Sequence, residues 1–256
     1  MKLAIIVPCF NEEDRFEISK WAHIVRTITE CAWIFVDDGS GDSTLSLLNS
    51  LKSDRVYVVS LKSNVGKGEA VRAGFNYLKS LEDASKFDRV GFIDADLAFG
   101  VNEIIAMEHE SRLKLVQSSK YRTLIASRVK LAGRNIQRNL VRHYLGRVIT
   151  TFICFGWNLA PYDTQSGFKI FRLDSDFMDL MAIPFTTKWF FDIEILLRLR
   201  DLEVNEVWEI PLDNWTEIKG SKITTSSFLS IIGQVITIRR IVRRNLRKVG
   251  DISGLN

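Results

Sequence analysis

Short apolar runs rich in β-branched residues alternate with longer amphipathic segments along the first hundred residues. The apolar runs are LAIIVPCF (3–10), WIFVDDG (33–39), RVYVVSL (55–61) and RVGFIDAD (89–96). Segments with helical periodicity lie between them, around residues 12–31, 43–52 and 67–82. Continuous apolar strands separated by helices are typical of a parallel sheet covered on both faces. We therefore expect an α/β fold.

The pattern is mixed after residue 100. Periodicity predicts helices over 101–116, 135–155 and 190–202, and strands near 123–129, 166–172 and 205–211. No repeat, low-complexity tract or Pro/Gly-rich linker interrupts this part of the chain, so we expect one domain over residues 1–222.

Residues 223–256 have the pattern of a basic amphipathic C-terminal helix. Apolar residues recur there at three- and four-residue steps: Phe228, Ile231, Ile232, Val235, Ile238, Val242 and Leu246. Such a helix suits an anionic membrane surface. It could equally pack on its own domain and leave its basic face in water.

Polar side chains follow three of the predicted strands. They are Pro8, Asn11 and Glu12 after the first, Asp37 and Asp38 after the second, and Asp94 and Asp96 after the fourth. Ligands of open parallel sheets bind beyond the carboxyl ends of the strands. The sequence therefore predicts a binding site at this edge.

Two turn motifs at this edge have recognisable chemistry. In VDDGSGDST (36–44), Asp42 or Ser43 can cap the next helix, while the Asp37 and Asp38 carboxylates can accept hydrogen bonds from a base or a ribose. In NVGKGEAVRAG (64–74), two glycines flank Lys67 at a helix start, where backbone N–H groups favour a phosphate. The second motif is not a Walker sequence.

The FIDADL segment places Asp94 and Asp96 one residue apart at the end of a strand. These acids could simply form a turn. Alternatively, both carboxylates could bind one divalent ion whose remaining ligands are phosphate oxygens and water. No G-x-S-x-G segment supports a serine hydrolase.

Composition and charge restrict the class of protein further. Three cysteines without a CxxC pair argue against a disulfide scaffold or a structural zinc site, and fit a reducing compartment. No apolar run approaches the roughly 18 residues of a membrane span. Residues 111–162 contain ten Lys and Arg and no acid, and residues 239–248 contain six more basic residues. This asymmetry predicts an anionic partner: phosphate, a membrane surface or nucleic acid.

Four motifs occur in the order and spacing of family 2 glycosyltransferases: IIVPCFNEE, VDDGSGDST, NVGKGEA and FIDADL. The chain resembles that family from Leu3 to about Lys222. The resemblance implies a GT-A fold, with a Rossmann-like, mostly parallel sheet flanked by helices, and a nucleotide-sugar donor. It also implies that Asp94 and Asp96 bind Mg²⁺ or Mn²⁺ on the diphosphate. The implied donor-binding residues are Pro8, Asn11, Glu12, Asp37, Asp38, Lys67, Asp94 and Ala95.

The second half is similar to polyprenyl-phosphate glycosyltransferases, in particular the dolichyl-phosphate β-glucosyltransferase type. YDTQSGFKIF (162–171), WFFDIEIL (189–196) and WTEIKGSKI (215–223) carry this resemblance. It implies inverting transfer of a hexose, with glucose from UDP-glucose as the expected donor, to a polyprenyl phosphate. The residues expected to bind the acceptor phosphate are Arg128, Arg134 and Arg138. Asp163 and Asp192 are candidates to position or deprotonate the acceptor, and Lys169 is a further catalytic candidate.

Two features depart from the family pattern. LAFGVNEI lacks the proline that many relatives carry shortly after Asp-x-Asp, and the membrane-spanning helices of many relatives are missing. We therefore expect a cytoplasmic protein, peripheral at the inner face of the membrane and attached by its basic C-terminal helix.

Two alternatives remain open. The acceptor could be a soluble molecule or a saccharide of cell-surface glycan synthesis. A basic nucleic-acid-binding protein is the alternative from another class, and the acidic sheet edge argues against it because it would repel phosphates.

Overall fold

The structure is a computed structural model that describes residues 2–118, 120–137, 161–187, 190–201 and 206–216, with isolated positions 148, 151, 233, 236 and 240. The strands are β1 Lys2–Cys9, β2 Cys31–Asp37, β3 Val56–Ser60, β4 Phe87–Ile93, β5 Thr123–Ser127, β6 Asn135–Gln137, β7 Phe168–Arg172, β8 Val207–Pro211 and β9 Asn214–Thr216. The α-helices are α1 Ile18–Thr27, α2 Thr44–Asn49, α3 Lys67–Ser80, α4 Val101–Ser111, α5 Ser175–Ala182 and α6 Phe191–Asp201. A 3₁₀ turn, Ala84–Lys86, precedes β4, and a π-helical segment, Arg112–Gln117, continues α4.

Seven of the described strands form one mixed sheet in the order β3-β2-β1-β4-β7-β5-β8. The pairs β1–β2, β1–β4, β2–β3 and β5–β8 are parallel, whereas β7 runs antiparallel to both β4 and β5. The short strands β6 and β9 form a separate parallel pair. The expected α/β fold with a mostly parallel sheet is confirmed.

Both faces of the sheet are buried, which explains the continuous apolar runs. On β1, Leu3, Ile5 and Val7 belong to one hydrophobic cluster, and Ala4 and Ile6 belong to the other. Helices α1, α2 and α4 contribute to the first cluster, and α3, α5 and α6 contribute to the second. Side chains alternate between faces along a strand, so a strand covered on both faces must be apolar at nearly every position.

The predicted helix over 12–31 is too long, because helix α1 spans only Ile18–Thr27. The backbone before it forms a turn in which Arg15 N and Phe16 N both donate to Glu12 O. Glu12 N in turn donates a hydrogen bond to the Thr44 hydroxyl oxygen at 2.8 Å. This contact between two loops replaces the first turns of the predicted helix.

The predicted helix over 135–155 is wrong at its start. Residues Asn135–Gln137 form strand β6, which pairs with β9, and Ile136 and Trp215 face each other in this register. Both side chains are buried. The partner strand lies almost eighty residues away in the sequence. The local pattern of apolar residues contains no information about such a partner, so it could not predict this strand. The rest of this prediction, Arg138 included, lies outside the described residues apart from positions 148 and 151.

Helix α5 (Ser175–Ala182) has no counterpart in the prediction. Asp174 caps it by accepting a hydrogen bond from Phe177 N at 3.0 Å. The segment LDSDFMDLM thus contains an N-cap residue, Asp174, from which this helix could have been predicted. The predicted C-terminal helix over 223–256 lies outside the described residues, apart from three isolated positions. No helix in the described part of the chain is long and apolar enough to cross a membrane.

Candidate active site

The loops that follow β1 and β2 are tied together at the carboxyl edge of the sheet. Cys9 and Asp37 end these strands in register, and Asp38 N donates to Cys9 O at 2.8 Å. Asn11, in the left-handed region at φ +49°, receives the Gly41 N–H on its side-chain oxygen at 2.9 Å. The sheet edge therefore has a rigid rim at this point.

The two aspartates of VDDG have different partners. Asp38 Oδ1 and Oδ2 accept the backbone N–H groups of Val65 and Gly66, at 2.8 and 2.9 Å, and thereby hold the loop before α3. Asp37 Oδ1 accepts Ser40 N at 3.3 Å. Both adjacent acids are thus stabilised by protein donors. Their roles at the nucleotide stay predictions.

Gly68 allows the starts of α3 and α6 to meet. A β-carbon at residue 68 would lie 2.7 Å from Phe191 Cβ, so a larger residue would push the helices apart. The Lys67 ammonium lies 5.9 Å from the Phe191 ring centre and forms an ion pair with Asp94. Burial disfavours the charged ammonium, but the carboxylates of Asp94, Asp192 and Asp96 together outweigh this and raise the pKa of Lys67.

Asp94 and Asp96 lie in the loop after β4. Asp94 N donates to Gly167 O at 3.1 Å, and Ala98 N donates to Asp96 Oδ1 at 3.1 Å. Burial raises the pKa of Asp96, and the neighbouring charge of Asp94 raises it further. The two carboxylates therefore form a strongly anionic point at the sheet edge.

Glu12 faces the same point from the β1 loop. Burial raises the pKa of Glu12, and the negative charges of Asp96 and Asp94 raise it further. The Arg15 guanidinium, 2.6 Å from Glu12 Oε1, lowers this pKa but does not cancel the rise. Ala95, between the two aspartates, accepts the Trp21 Nε1–H on its carbonyl oxygen at 3.1 Å. This buried tryptophan fixes the backbone of the Asp-x-Asp segment.

The donor set of this edge fits a hard divalent cation. Two carboxylates whose charges disfavour each other are stabilised by a cation between them, and Mg²⁺ and Mn²⁺ prefer oxygen ligands. Within the described residues no group of three or more His, Cys, Asp or Glu is arranged as a metal site. Asp94 and Asp96 would hold such an ion together with phosphate oxygens and water.

Arg128 and Asp163 form a bidentate ion pair behind this point. Asp163 accepts hydrogen bonds from Arg128 N, Nε and Nη2 at 3.0, 2.6 and 2.7 Å, and Arg128 Nη2 also donates to Gln165 O. The guanidinium stacks 5.3 Å from the centre of the Trp215 ring. Burial opposes the charge of Arg128, but the carboxylates of Asp163, Asp94 and Asp192 together outweigh this and raise the pKa of the guanidinium. A carboxylate with these partners orients the arginine.

Lys169 and Asp192 form a second, fully buried pair. Lys169 Nζ lies 2.6 Å from Ser166 O and 3.2 Å from Asp192 Oδ2, and none of its side chain is exposed. Burial lowers the pKa of Lys169, whereas the charges of Asp192 and Asp163 partly counter that effect. Asp192 lies in the first turn of α6.

One electrostatic cluster unites most of the predicted site residues. The charges of Asp94 and Asp192 raise the pKa of both Lys67 and Arg128, so all four groups lie within electrostatic reach of one another. Arg134 has other partners: its Nη1 donates to Pro211 O at 2.7 Å and forms an ion pair with Asp213. Arg138 lies outside the described residues.

Sequence reasoning missed two residues that shape the site. Gly167 forms the wall against which Asp94 packs. Glu209 of β8 binds the backbone at the start of the DTQSG turn. The glycine in SGFK could have been noticed because it precedes a strand; the glutamate gave no local signal.

The chain is similar in sequence to known glycosyltransferases. A family model described as glycosyl transferase family 2 matches residues 4–108. A dolichyl-phosphate beta-glucosyltransferase from Trichomonas vaginalis is 28% identical, with 97% of this chain and 76% of the relative covered. The mouse (Mus musculus) dolichyl-phosphate beta-glucosyltransferase is 29% identical, with 87% and 69% covered.

Solved structures establish the same fold. Glucosyl-3-phosphoglycerate synthase from Mycobacterium tuberculosis in complex with UDP is 17% identical with a TM-score of 0.61, over 93% of this chain and 80% of that one. The same synthase with Mn²⁺, UDP and glucosyl-3-phosphoglycerate gives a TM-score of 0.60 at 16% identity, over 93% and 78%. The fold, the acidic sheet edge and these matches lead to the same conclusion: the protein is a glycosyltransferase of the GT-A fold that resembles family 2.

Proposed function

We propose that the protein transfers glucose from UDP-glucose to a polyprenyl phosphate of the dolichyl type, with inversion at the anomeric carbon. One observation carries this proposal. Relatives that match along almost the whole chain are dolichyl-phosphate beta-glucosyltransferases, and the match extends through the second half, where an acceptor would bind. The paired anionic and cationic groups of the site suit both substrates.

The donor would lie along the edge formed by the loops after β1, β2 and β4. Asp37 would accept hydrogen bonds from the base or the ribose, with Pro8, Asn11, Glu12, Asp38 and Ala95 shaping this part of the site. Asp94 and Asp96 would bind Mg²⁺ or Mn²⁺, which neutralises the charge that develops on the leaving diphosphate. Lys67, now paired with Asp94, would add a cation beside the same phosphates. Neighbours of this fold crystallised with UDP and Mn²⁺ or Mg²⁺ support a divalent ion in general terms.

The acceptor would meet the cationic side of the cluster. A phosphate monoester is already ionised near neutral pH, so its oxygen needs orientation more than deprotonation. Arg128, held by Asp163 and Gln165, suits this task because its guanidinium keeps a permanent positive charge in a fixed place. Lys169 and Asp192 lie one layer deeper and would fix the local charge, while Arg134 and Arg138 would contact the phosphate from further along the basic segment.

The proposed reaction is a single in-line displacement. A phosphate oxygen of the acceptor attacks the anomeric carbon and forms the new C–O bond, while the bond to the diphosphate oxygen breaks and its electron pair leaves with UDP. Nothing is oxidised, and no proton has to move if the acceptor phosphate is dianionic. The product is a glycosyl phosphodiester on the lipid.

The membrane contact belongs to the same proposal. A lipid acceptor requires the enzyme to work at a bilayer surface, and the basic segment 223–256 would bind anionic lipid there. We propose a peripheral location at the cytoplasmic face, where nucleotide sugars are made.

A comparison of two donors tests the proposal. Purified protein, Mn²⁺ and a polyprenyl phosphate are incubated separately with labelled UDP-glucose and labelled GDP-mannose, and label is measured after organic extraction. We expect organic-soluble label from UDP-glucose and none above background from GDP-mannose. Label that appears only in a water-soluble saccharide would support the soluble-acceptor alternative and refute a lipid phosphate.

A further inference from the structure

The side chain of Glu209 joins strand β8 to the turn that carries Asp163. Glu209 Oε2 accepts the Tyr162 N–H at 2.5 Å, and Oε1 accepts the Asp163 N–H at 2.9 Å. These contacts cross more than forty residues of sequence. One carboxylate therefore satisfies two consecutive backbone donors and fixes where the turn begins.

The same turn determines where the Arg128 guanidinium points. Asp163 accepts three hydrogen bonds from Arg128, and Gln165 O accepts a fourth, so every one of these acceptors belongs to residues 163–165. Strand β8 is also the parallel partner of β5, with Ile125 opposite Glu209, and Arg128 directly follows β5. Glu209 thus holds the turn in a fixed position relative to the strand from which Arg128 projects.

The surroundings of Glu209 argue that its replacement spares the fold. β8 is the last strand in the sheet order, and Glu209 is partly exposed. It lines an open cleft of about 410 Å³ between α4 and β8, together with residues that include Glu110 and Trp208. A substitution here meets open space, whereas a change at the buried Asp163 or Lys169 disturbs the interior.

We propose that Glu209 is a positioning residue for the acceptor: it acts through the DTQSG turn to set the direction of the Arg128 guanidinium. This inference rests on the proposed function, in which Arg128 binds the acceptor phosphate. Loss of Glu209 releases the start of the turn, whereas Gly167, which contacts Asp94, lies at its far end, where the pairing of β7 with β4 holds it. The donor edge should therefore change little. The acceptor site loses its alignment, since the turn is released at its start.

The test compares Glu209→Gln with the wild type in the full chain. Glutamine keeps the size of the side chain but offers one acceptor oxygen where two N–H groups need one each. We expect the KM for polyprenyl phosphate to rise roughly tenfold, the factor lost with a hydrogen bond to a charged group, while the KM for the donor changes less than about twofold. Glu110→Gln is the matched control, because it removes the same charge from the same cleft, and it should match the wild type.

A double variant separates positioning from general damage. If Glu209 acts through Asp163, the double variant should have the same acceptor KM as Asp163→Asn alone. The contact between Asp163 and Arg128, through which Glu209 acts, is already disrupted in that single variant. Full additivity of the two effects, wild-type kinetics of Glu209→Gln, or a parallel change in donor KM, acceptor KM and melting temperature would each overturn the inference. Wild-type enzyme that labels no lipid would refute the proposed function instead, and the Glu209 comparison would then be made with the acceptor that is labelled.

Discussion

Gly167 packs so closely on the Asp94 carboxylate that a β-carbon at residue 167 would lie 2.1 Å from Asp94 Oδ2 and 2.9 Å from Oδ1. The two residues also share a backbone hydrogen bond, from Asp94 N to Gly167 O. The contact follows from the antiparallel pairing of β4 with β7, in which Ile93 faces Phe168. The DTQSGFK motif therefore forms the wall of the Asp-x-Asp site.

Gly167→Ala should lower transfer activity by about a hundredfold, because displacement of a reacting-site group by about 1 Å has an effect of this size. The added methyl group must push the Asp94 carboxylate away from its present position. The melting temperature should fall only slightly, since the atoms that move are at the end of a side chain. The measurement is kcat/KM together with Mn²⁺ affinity.

Gly41→Ala is the control for this prediction. A β-carbon at residue 41 has no neighbour within 4 Å in the described part of the chain. It should leave both quantities near the wild-type values. An active Gly167→Ala enzyme with normal Mn²⁺ affinity would show that the position of Asp94 is not critical.

The sequence predicted the first half of the fold, because short stretches of chain contain the signals for its strands. The runs that became β1 to β4 are apolar at consecutive positions, and Asp94 and Asp96 stand directly at the end of one of them. The prediction failed where an element depends on contacts between residues that are far apart in the sequence. β6 pairs with β9, β7 inserts antiparallel between β4 and β5, and Glu209 reaches Asp163 across the sequence. Periodicity contains no information on such partners.

Lys67→Met should strengthen the binding of Mn²⁺ in the absence of nucleotide by a few fold, because an ammonium paired with a carboxylate competes with a metal ion for it. The measurement is titration of free Mn²⁺ by electron paramagnetic resonance. The same variant should bind UDP more weakly when Mn²⁺ is present, since a cation beside the diphosphate is lost. Lys62→Met, an exposed lysine of the preceding loop, is the control. Unchanged Mn²⁺ affinity in Lys67→Met would contradict this competition.

Asp96→Asn should separate activity from stability. Transfer should fall by roughly a hundredfold or more, because a metal ligand and its charge are removed. The pKa of Asp96 is raised in the folded protein, mainly by burial, so the ionised carboxylate destabilises the fold at neutral pH. A neutral amide should therefore leave the melting temperature unchanged or slightly higher in a thermal scan at pH 7. Full activity of this variant would refute the metal assignment. A large drop in its melting temperature would contradict the claim that the ionised carboxylate destabilises the fold.

Asp192→Asn should cost about 3 kcal/mol in free energy of unfolding, because it leaves the buried Lys169 ammonium without its carboxylate. The double variant Lys169→Met/Asp192→Asn should recover much of this loss. In Asp192→Asn the pKa of Lys169 should fall further, so the unfolded chain binds more protons and stability should rise with pH towards the ordinary lysine value of 10.5. Urea unfolding at several alkaline pH values measures both effects. Equal stability of the single and double variants would argue against a charged pair.

Transfer to a lipid phosphate is the central claim, and comparison of two acceptors tests it most directly. Purified enzyme, Mn²⁺ and labelled UDP-glucose are incubated with a polyprenyl phosphate or with the matching polyprenol, and organic-soluble label is counted. The account predicts a labelled lipid, with the β configuration at the anomeric carbon, from the phosphate and none from the alcohol. Equal labelling of the alcohol, or label found only in the aqueous phase, would contradict it.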